Sequence, residues 1–187
     1  MHQIYKAVQN LRLTNFNEIS LHELLSILTN NIYPQIELQA NLVFSNLENI
    51  ATIDKPHDEL PSFEFLNSLF AKVNEVVKQV LKYKQQLVLP FIETNLYEIK
   101  TPDNISKVEE QFKNIILHLN AKNKLIQQLL HKLRAVANNY SPIAGLNTYY
   151  QACYCALSDY EQLINDLIYT EELVLFPKFL RYIGANQ

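Results

Sequence analysis

"IYTEELVLFPKFL", residues 168–180, sets a carboxylate on a helical face that is otherwise apolar. At helical spacing Tyr160, Ile164, Leu167, Glu171, Val174 and Lys178 share one face, flanked by Leu163, Ile168 and Leu175. The periodicity predicts a helix from about Thr148 to about Arg181, with Glu171 interrupting its dry side. Such a residue is a metal ligand, a catalytic acid, or a buried charge with its own partner.

Three more segments of the same period precede this one. The first opens at Leu21 behind a Ser20/Glu23 capping-box pattern and runs Leu24, Leu25, Leu28, Ile32, Ile36, Leu42, Val43, Leu47 and Ile50. Pro34 must kink or break it, because proline lacks a backbone donor and clashes one turn back. The second starts near Ser62, with Glu64 close to its cap, and runs Leu66, Leu69, Phe70, Val73, Val76, Val77, Val80, Lys84, Leu87 and Phe91. The third runs Val108, Phe112, Ile115, Leu119, Asn123, Ile126, Leu130 and Leu133. "DKPHDELP" (54–61), "KTPDN" (100–104) and "NNYSPIAGLN" (138–147) read as connectors.

Composition agrees with helices. Only 2 glycines occur among 187 residues, so the tight turns of a sheet protein lack their usual residue. Hydrophobic residues make up 48% and charged ones 19%, a globular balance. The fold class expected is all-α, an up-down four-helix bundle over 20–187, with 1–19 as a short N-terminal extension carrying Ile4, Val8 and Leu11 on one side. Segments of this length span roughly 45 Å at about 1.5 Å per residue.

Charge narrows the function. A net charge of −3 with three arginines, Arg12, Arg134 and Arg181, is poor material for tracking phosphates, so no nucleic-acid partner is expected. Lys122, Lys124, Lys132 and Arg134 read as a solvated helix face. No basic start leads into an apolar run, and no apolar stretch reaches the ~18 residues of a membrane span. A cytoplasmic protein without a membrane partner is the expectation. Cys153 and Cys155 point to opposite sides of a helix and read as reduced thiols, packed or half-exposed.

Lys84, Asn123 and Glu171 are the polar residues on dry stripes, and a buried charge needs a partner, a metal or a path to water. "KQQLVLPFI" (84–92) and "EELVLFPKF" (171–179) overlay on Pro90 and Pro177, each placing its charged residue six positions before the proline. The second and fourth helices therefore look like a pseudo-repeat, with Lys84 and Glu171 at one level. His2, His22, His57, His118 and His131 include no pair at i, i+3 or i, i+4, so they read as surface or loop residues. Glu171 and Glu172 as an acid/base pair would point about 100° apart, which leaves Glu172 solvated. The tyrosines between Tyr149 and Tyr169 read as packing residues with polar tips. Gly-rich phosphate loops, nucleophile elbows and zinc-knuckle spacings do not occur.

From about Ser20 to Tyr182 the chain resembles hemerythrin-like di-iron proteins of the repair-of-iron-centres family. The matching stretches are "SLHELLSILTNNIY", the "IDKP" connector, "LRAVANNYSP" followed by "NTYY", and "YTEELVLFPKFL". The resemblance implies irons held between four helices by histidines and two bridging glutamates, in the service of iron–sulfur repair under nitrosative and oxidative stress. Carried over by counting from the prolines and from "NNY", the metal-pocket positions fall on Tyr33, Val80, Lys84, Asn123, Leu167 and Glu171. Only Glu171 keeps a family ligand; Val80 and Leu167 stand where histidines would.

A lysine opposite the surviving glutamate supplies covalently the positive charge that a metal would otherwise bring. A buried or semi-buried Lys84–Glu171 ion pair is therefore expected, with Asn123 and Tyr33 or Tyr169 as hydrogen-bond partners. In the alternative, Lys84 snorkels to water and Glu171 reaches solvent through a kink. The first functional expectation is a metal-free, non-enzymatic binding or regulatory module, without cofactor, acting through an unknown protein partner or as a homo-oligomer. The others are an active non-haem di-iron protein of the repair type, and a small-molecule binder in the former metal cavity.

Overall fold

The computed structural model describes residues 18–51, 63–97, 101–141 and 148–185. Among these residues every regular element is helical. The leading segment around Ile4, Val8 and Leu11, the connector 54–61, residues 142–147 of the last connector, His2 and His57 lie outside the described residues.

Four long helical rods make up the described chain. The first consists of α1 (Leu21–Ile27) and α2 (Tyr33–Ala51), joined by a π turn at Leu28–Ile32. The second consists of α3 (Phe63–Tyr83) and α4 (Leu89–Tyr97), joined by a π turn at Lys84–Val88. The third is one uninterrupted helix, α5 (Pro102–Val136). The fourth joins α6 (Thr148–Thr170) to α7 (Phe176–Gly184) through a π turn at Glu171–Leu175. No described helix is long and apolar enough to cross a membrane.

Local chemistry explains where the rods begin and end. The Ser20 hydroxyl accepts the Glu23 N–H at 3.1 Å, and the Glu23 carboxylate accepts the Ser20 N–H at 2.9 Å, closing the capping box. Thr101 caps α5, and Pro102 follows at the first helical position, where no N–H is required. Beyond α5 the chain turns through Asn138, Asn139 and Tyr140, with φ of 49°, 54° and 59°. Asparagine enters this left-handed region readily; for Tyr140 it costs about 1–2 kcal/mol.

The π turns have a common cause in the prolines. Each ends two residues before a proline: Pro34, Pro90 and Pro177. A proline ring clashes with the carbonyl one turn back, and widening the turn moves that carbonyl aside. The N–H groups of Tyr33, Leu89 and Phe176 accordingly donate to Leu28, Lys84 and Glu171, five residues earlier. Pro102, at a helix start, has no such effect. The repeat read from Pro90 and Pro177 thus has a third copy in the first rod, where Leu28 holds the place of Lys84 and Glu171.

Each wide turn adds a residue, and the apolar stripe slips by one position beyond it. In the second rod Val88 is buried and Leu87 is exposed, correcting the stripe expected at Leu87. In the fourth, Leu175 and Phe179 take the core places expected for Val174 and Lys178, both of which are half-buried. Leu42 is likewise exposed, because Ala40 and Val43 carry the core phase of α2. The third rod, lacking a π turn, buries Ile105, Phe112, Leu119, Ile126 and Leu133 at unbroken seven-residue intervals.

α2 packs chiefly on α6, and α3 on α5; lesser contacts join α2 to α3 and α5 to both parts of the fourth rod. Phe112 anchors one part of the core, its ring 4.6 Å from Phe179, 5.7 Å from Phe176 and 6.0 Å from Phe91. Such ring pairs contribute roughly 0.5–1.5 kcal/mol each beyond the area they bury.

Candidate functional site

Lys84 and Glu171 are the first residues of their π turns, and both point into the core. The Lys84 Nζ lies 2.5 Å from the Glu171 Oε2, with each side chain only 2% exposed. The Tyr33 hydroxyl, last in line before Pro34 on the first rod, donates to the Glu171 Oε1 at 3.4 Å. Val80 and Leu167, one turn before the pair, are buried. Three rods therefore meet at one carboxylate.

Two opposing influences act on that carboxylate. Burial pushes the Glu171 carboxyl above its ordinary 4.5, while the adjacent Lys84 ammonium pulls it back, helped by the Tyr33 hydroxyl. Burial also raises the Tyr33 phenol well above its ordinary value, and the neighbouring carboxylate raises it further. Tyr33 therefore stays protonated and able to donate.

Asn123 departs from its expected place in this cluster. Its side chain is buried, yet its Nδ2 donates at 3.0 Å to the exposed Glu172 rather than to Glu171. Its Oδ1 finds no hydrogen-bond partner among the described residues. Tyr169 is 55% exposed and takes no part, because it lies on the outer side of the last α6 turn. Glu172 is exposed, but it is also the anchor for Asn123.

The residues at the six positions that the resemblance assigns to a metal pocket do not fit a di-iron centre. Two of them, Val80 and Leu167, are aliphatic, and the carboxylate oxygen of Glu171 is already in contact with an ammonium. A lysine ammonium has only donors to offer, so it cannot ligate a cation without losing its proton. The described histidines, His22, His118 and His131, are all exposed. Among the described residues no three His, Cys, Asp or Glu side chains come together in a way that could hold a metal ion.

A second ion pair joins the third and fourth rods. Arg134, expected on a solvated face, reaches across from α5 to Glu161 on α6 with two bonds, Nη2–Oε1 at 2.5 Å and Nε–Oε2 at 3.2 Å. The Glu161 side chain is 8% exposed and that of Arg134 46%. The carboxylate raises the Arg134 guanidinium above its ordinary value. Its sequence signal was weak: Glu161 sits beside the core residue Tyr160, where one step of helical phase decides between water and interior.

Further buried polar groups serve packing. The Tyr160 hydroxyl donates to Asn74 at 3.2 Å, and the Gln39 amide donates to the Ala156 carbonyl at 3.0 Å. Cys153 is buried and Cys155 exposed, both as free thiols, and burial pushes the Cys153 thiol up to about 12. A thiol so far from ionisation is a poor nucleophile at neutral pH.

Neither a protein-family model nor a curated protein matches this chain.

Proposed function

We propose that this chain is a diverged, metal-free protein of the hemerythrin-like type, with the Lys84–Glu171 pair in place of a di-iron centre, acting as a binding or regulatory module. The observation that carries this reading is the 2.5 Å contact of a buried ammonium with a buried carboxylate, at two positions equally distant from Pro90 and Pro177. The rods alternate up and down in this reading. Its support is the order of contacts: Tyr83 with His118 and Phe91 with Phe112, Asn123 with Glu172 and Arg134 with Glu161, Tyr33 with Glu171 and Gln39 with Ala156. In each couple of contacts, one chain number rises as the other falls.

A buried pair of this kind is a weak source of net stability, since desolvation opposes the attraction. Its value is in registering the second rod against the fourth, because any slip strands two charges. A framework held in register without a metal suits a protein that presents surfaces rather than reacts. Protein purified from cells grown with supplementary iron should carry no stoichiometric iron and no visible absorption. About two irons per chain with an oxo-bridged spectrum would overturn the proposal.

A further inference from the structure

The ends of three rods border an open cleft of about 620 Å³, lined by Ser20, Leu21 and His22 of the first rod, Leu96 and Tyr97 of the second, and Lys178, Arg181 and Tyr182 of the fourth. It is distinct from the buried pair: Leu96 lies twelve residues beyond Lys84, about 18 Å along a helix. Phe176 and Phe179, packed on Phe112, intervene between Glu171 and the cleft residues of the fourth rod.

The walls are tied together by side chain to backbone bonds. The Tyr182 hydroxyl donates to the Leu96 carbonyl at 2.7 Å, linking the fourth rod to the end of the second. The Lys178 ammonium donates to the carbonyl of Ile19, linking the fourth rod to the start of the first. These bonds hold the cleft ready-formed, so a ligand would not have to order it.

The lining combines leucines with cationic groups. Leu21 is buried and Leu96 half-buried, providing an apolar floor, while His22 and Arg181 are exposed at the rim beside Lys178. Arg181 differs from Arg134 in an important respect. Arg134 is bound to a carboxylate through two bonds, whereas the Nε of Arg181 donates only to the backbone carbonyl of Pro177, at 3.4 Å. Among the described residues no ion pair joins Arg181 to a carboxylate. Arg181 thus lines the cleft without a carboxylate partner among the described residues, and a guanidinium is suited to bidentate capture of a carboxylate.

We propose that this cleft binds a small amphiphilic carboxylate, its apolar body on Leu21 and Leu96 and its charged end on Arg181. The volume lies within the usual range of small-molecule pockets, about 300–1,000 Å³. The inference is independent of the metal-free reading, since it uses none of the residues around Glu171.

Calorimetric titration with octanoate, octanol and inorganic phosphate tests it on the full chain. Octanoate should bind, octanol and phosphate about tenfold or more weaker, because each lacks one half of the recognition. Arg181→Gln should weaken octanoate about tenfold while leaving octanol and the thermal midpoint unchanged. Leu96→Ser should weaken octanoate and octanol together. Equal binding of octanoate and octanol, phosphate binding as tight as octanoate, or an Arg181→Gln variant that binds octanoate normally would each overturn the proposal.

Discussion

Two ion pairs in this bundle share a contact distance and little else. Lys84–Glu171 and Arg134–Glu161 both close to 2.5 Å, but the first has both side chains 2% exposed and the second leaves its arginine 46% exposed. In the first, neither partner can turn to water if the other is removed. In the second, the guanidinium can rotate outward and rehydrate. The comparison separates proximity from consequence: the cost of losing a partner depends on where the survivor is left.

The sharpest way to break this contrast is a double-mutant cycle. Lys84→Met or Glu171→Leu alone should each destabilise the protein by about 3–5 kcal/mol, read from urea unfolding, because an uncompensated buried charge remains. The double variant should recover most of that loss. Additive losses would mean that the two residues do not sense each other.

Acidity sharpens the same point. Burial holds the folded-state Glu171 carboxyl above 4.5, so the folded chain keeps a proton that the unfolded chain has already released. Stability therefore falls as pH rises through the interval between those two values. Lys84→Met removes the largest influence lowering that carboxyl, so its deficit against the parent should widen as pH rises above the ordinary carboxylate value. A deficit independent of pH in chemical denaturation would show that Glu171 does not ionise against Lys84.

Smaller effects belong to the second pair and to the tyrosine. Glu161→Gln should cost no more than about 1 kcal/mol and should matter less in high salt, since the surviving Arg134 can turn to water. A salt-independent loss the size of that from Lys84→Met would erase the distinction between the pairs. Tyr33→Phe should be mildest, about 0.5–1 kcal/mol, given its long 3.4 Å bond. Thermal melts comparing it with the parent are sufficient to check this.

Much of this architecture is legible from residue spacing. Helical periodicity locates four rods, and the shared distance to Pro90 and Pro177 locates the level at which Lys84 meets Glu171. What periodicity misses is the slip at the π turns, because counting at a fixed 3.6 residues per turn carries Leu87, Val174 and Lys178 inward in place of Val88, Leu175 and Phe179. α5, with its proline only at the first position, keeps its count throughout. Arg134–Glu161 and Asn123–Glu172 are illegible for another reason. They join residues on different helices, and Arg134, Glu161 and Glu172, each taken alone, look like ordinary surface chemistry. The cleft at the rod ends is likewise assembled from segments far apart in the chain.

The wide turns also bear on how these rods tolerate change in chain length. Each is in effect a one-residue insertion that the helix has already absorbed, leaving the segments on either side internally regular. Removing a single residue at Gln86 would let the second rod close into an ordinary helix, and the segment beyond it would keep its facing, because the count would return to the fixed period. Val88 and Ile92 would keep their core places in line with Val80, and the strain would fall on Pro90, whose ring would meet the carbonyl one turn back. Each of these three turns is therefore a place where the rod could lose one residue and keep its core, provided the proline that follows were lost as well.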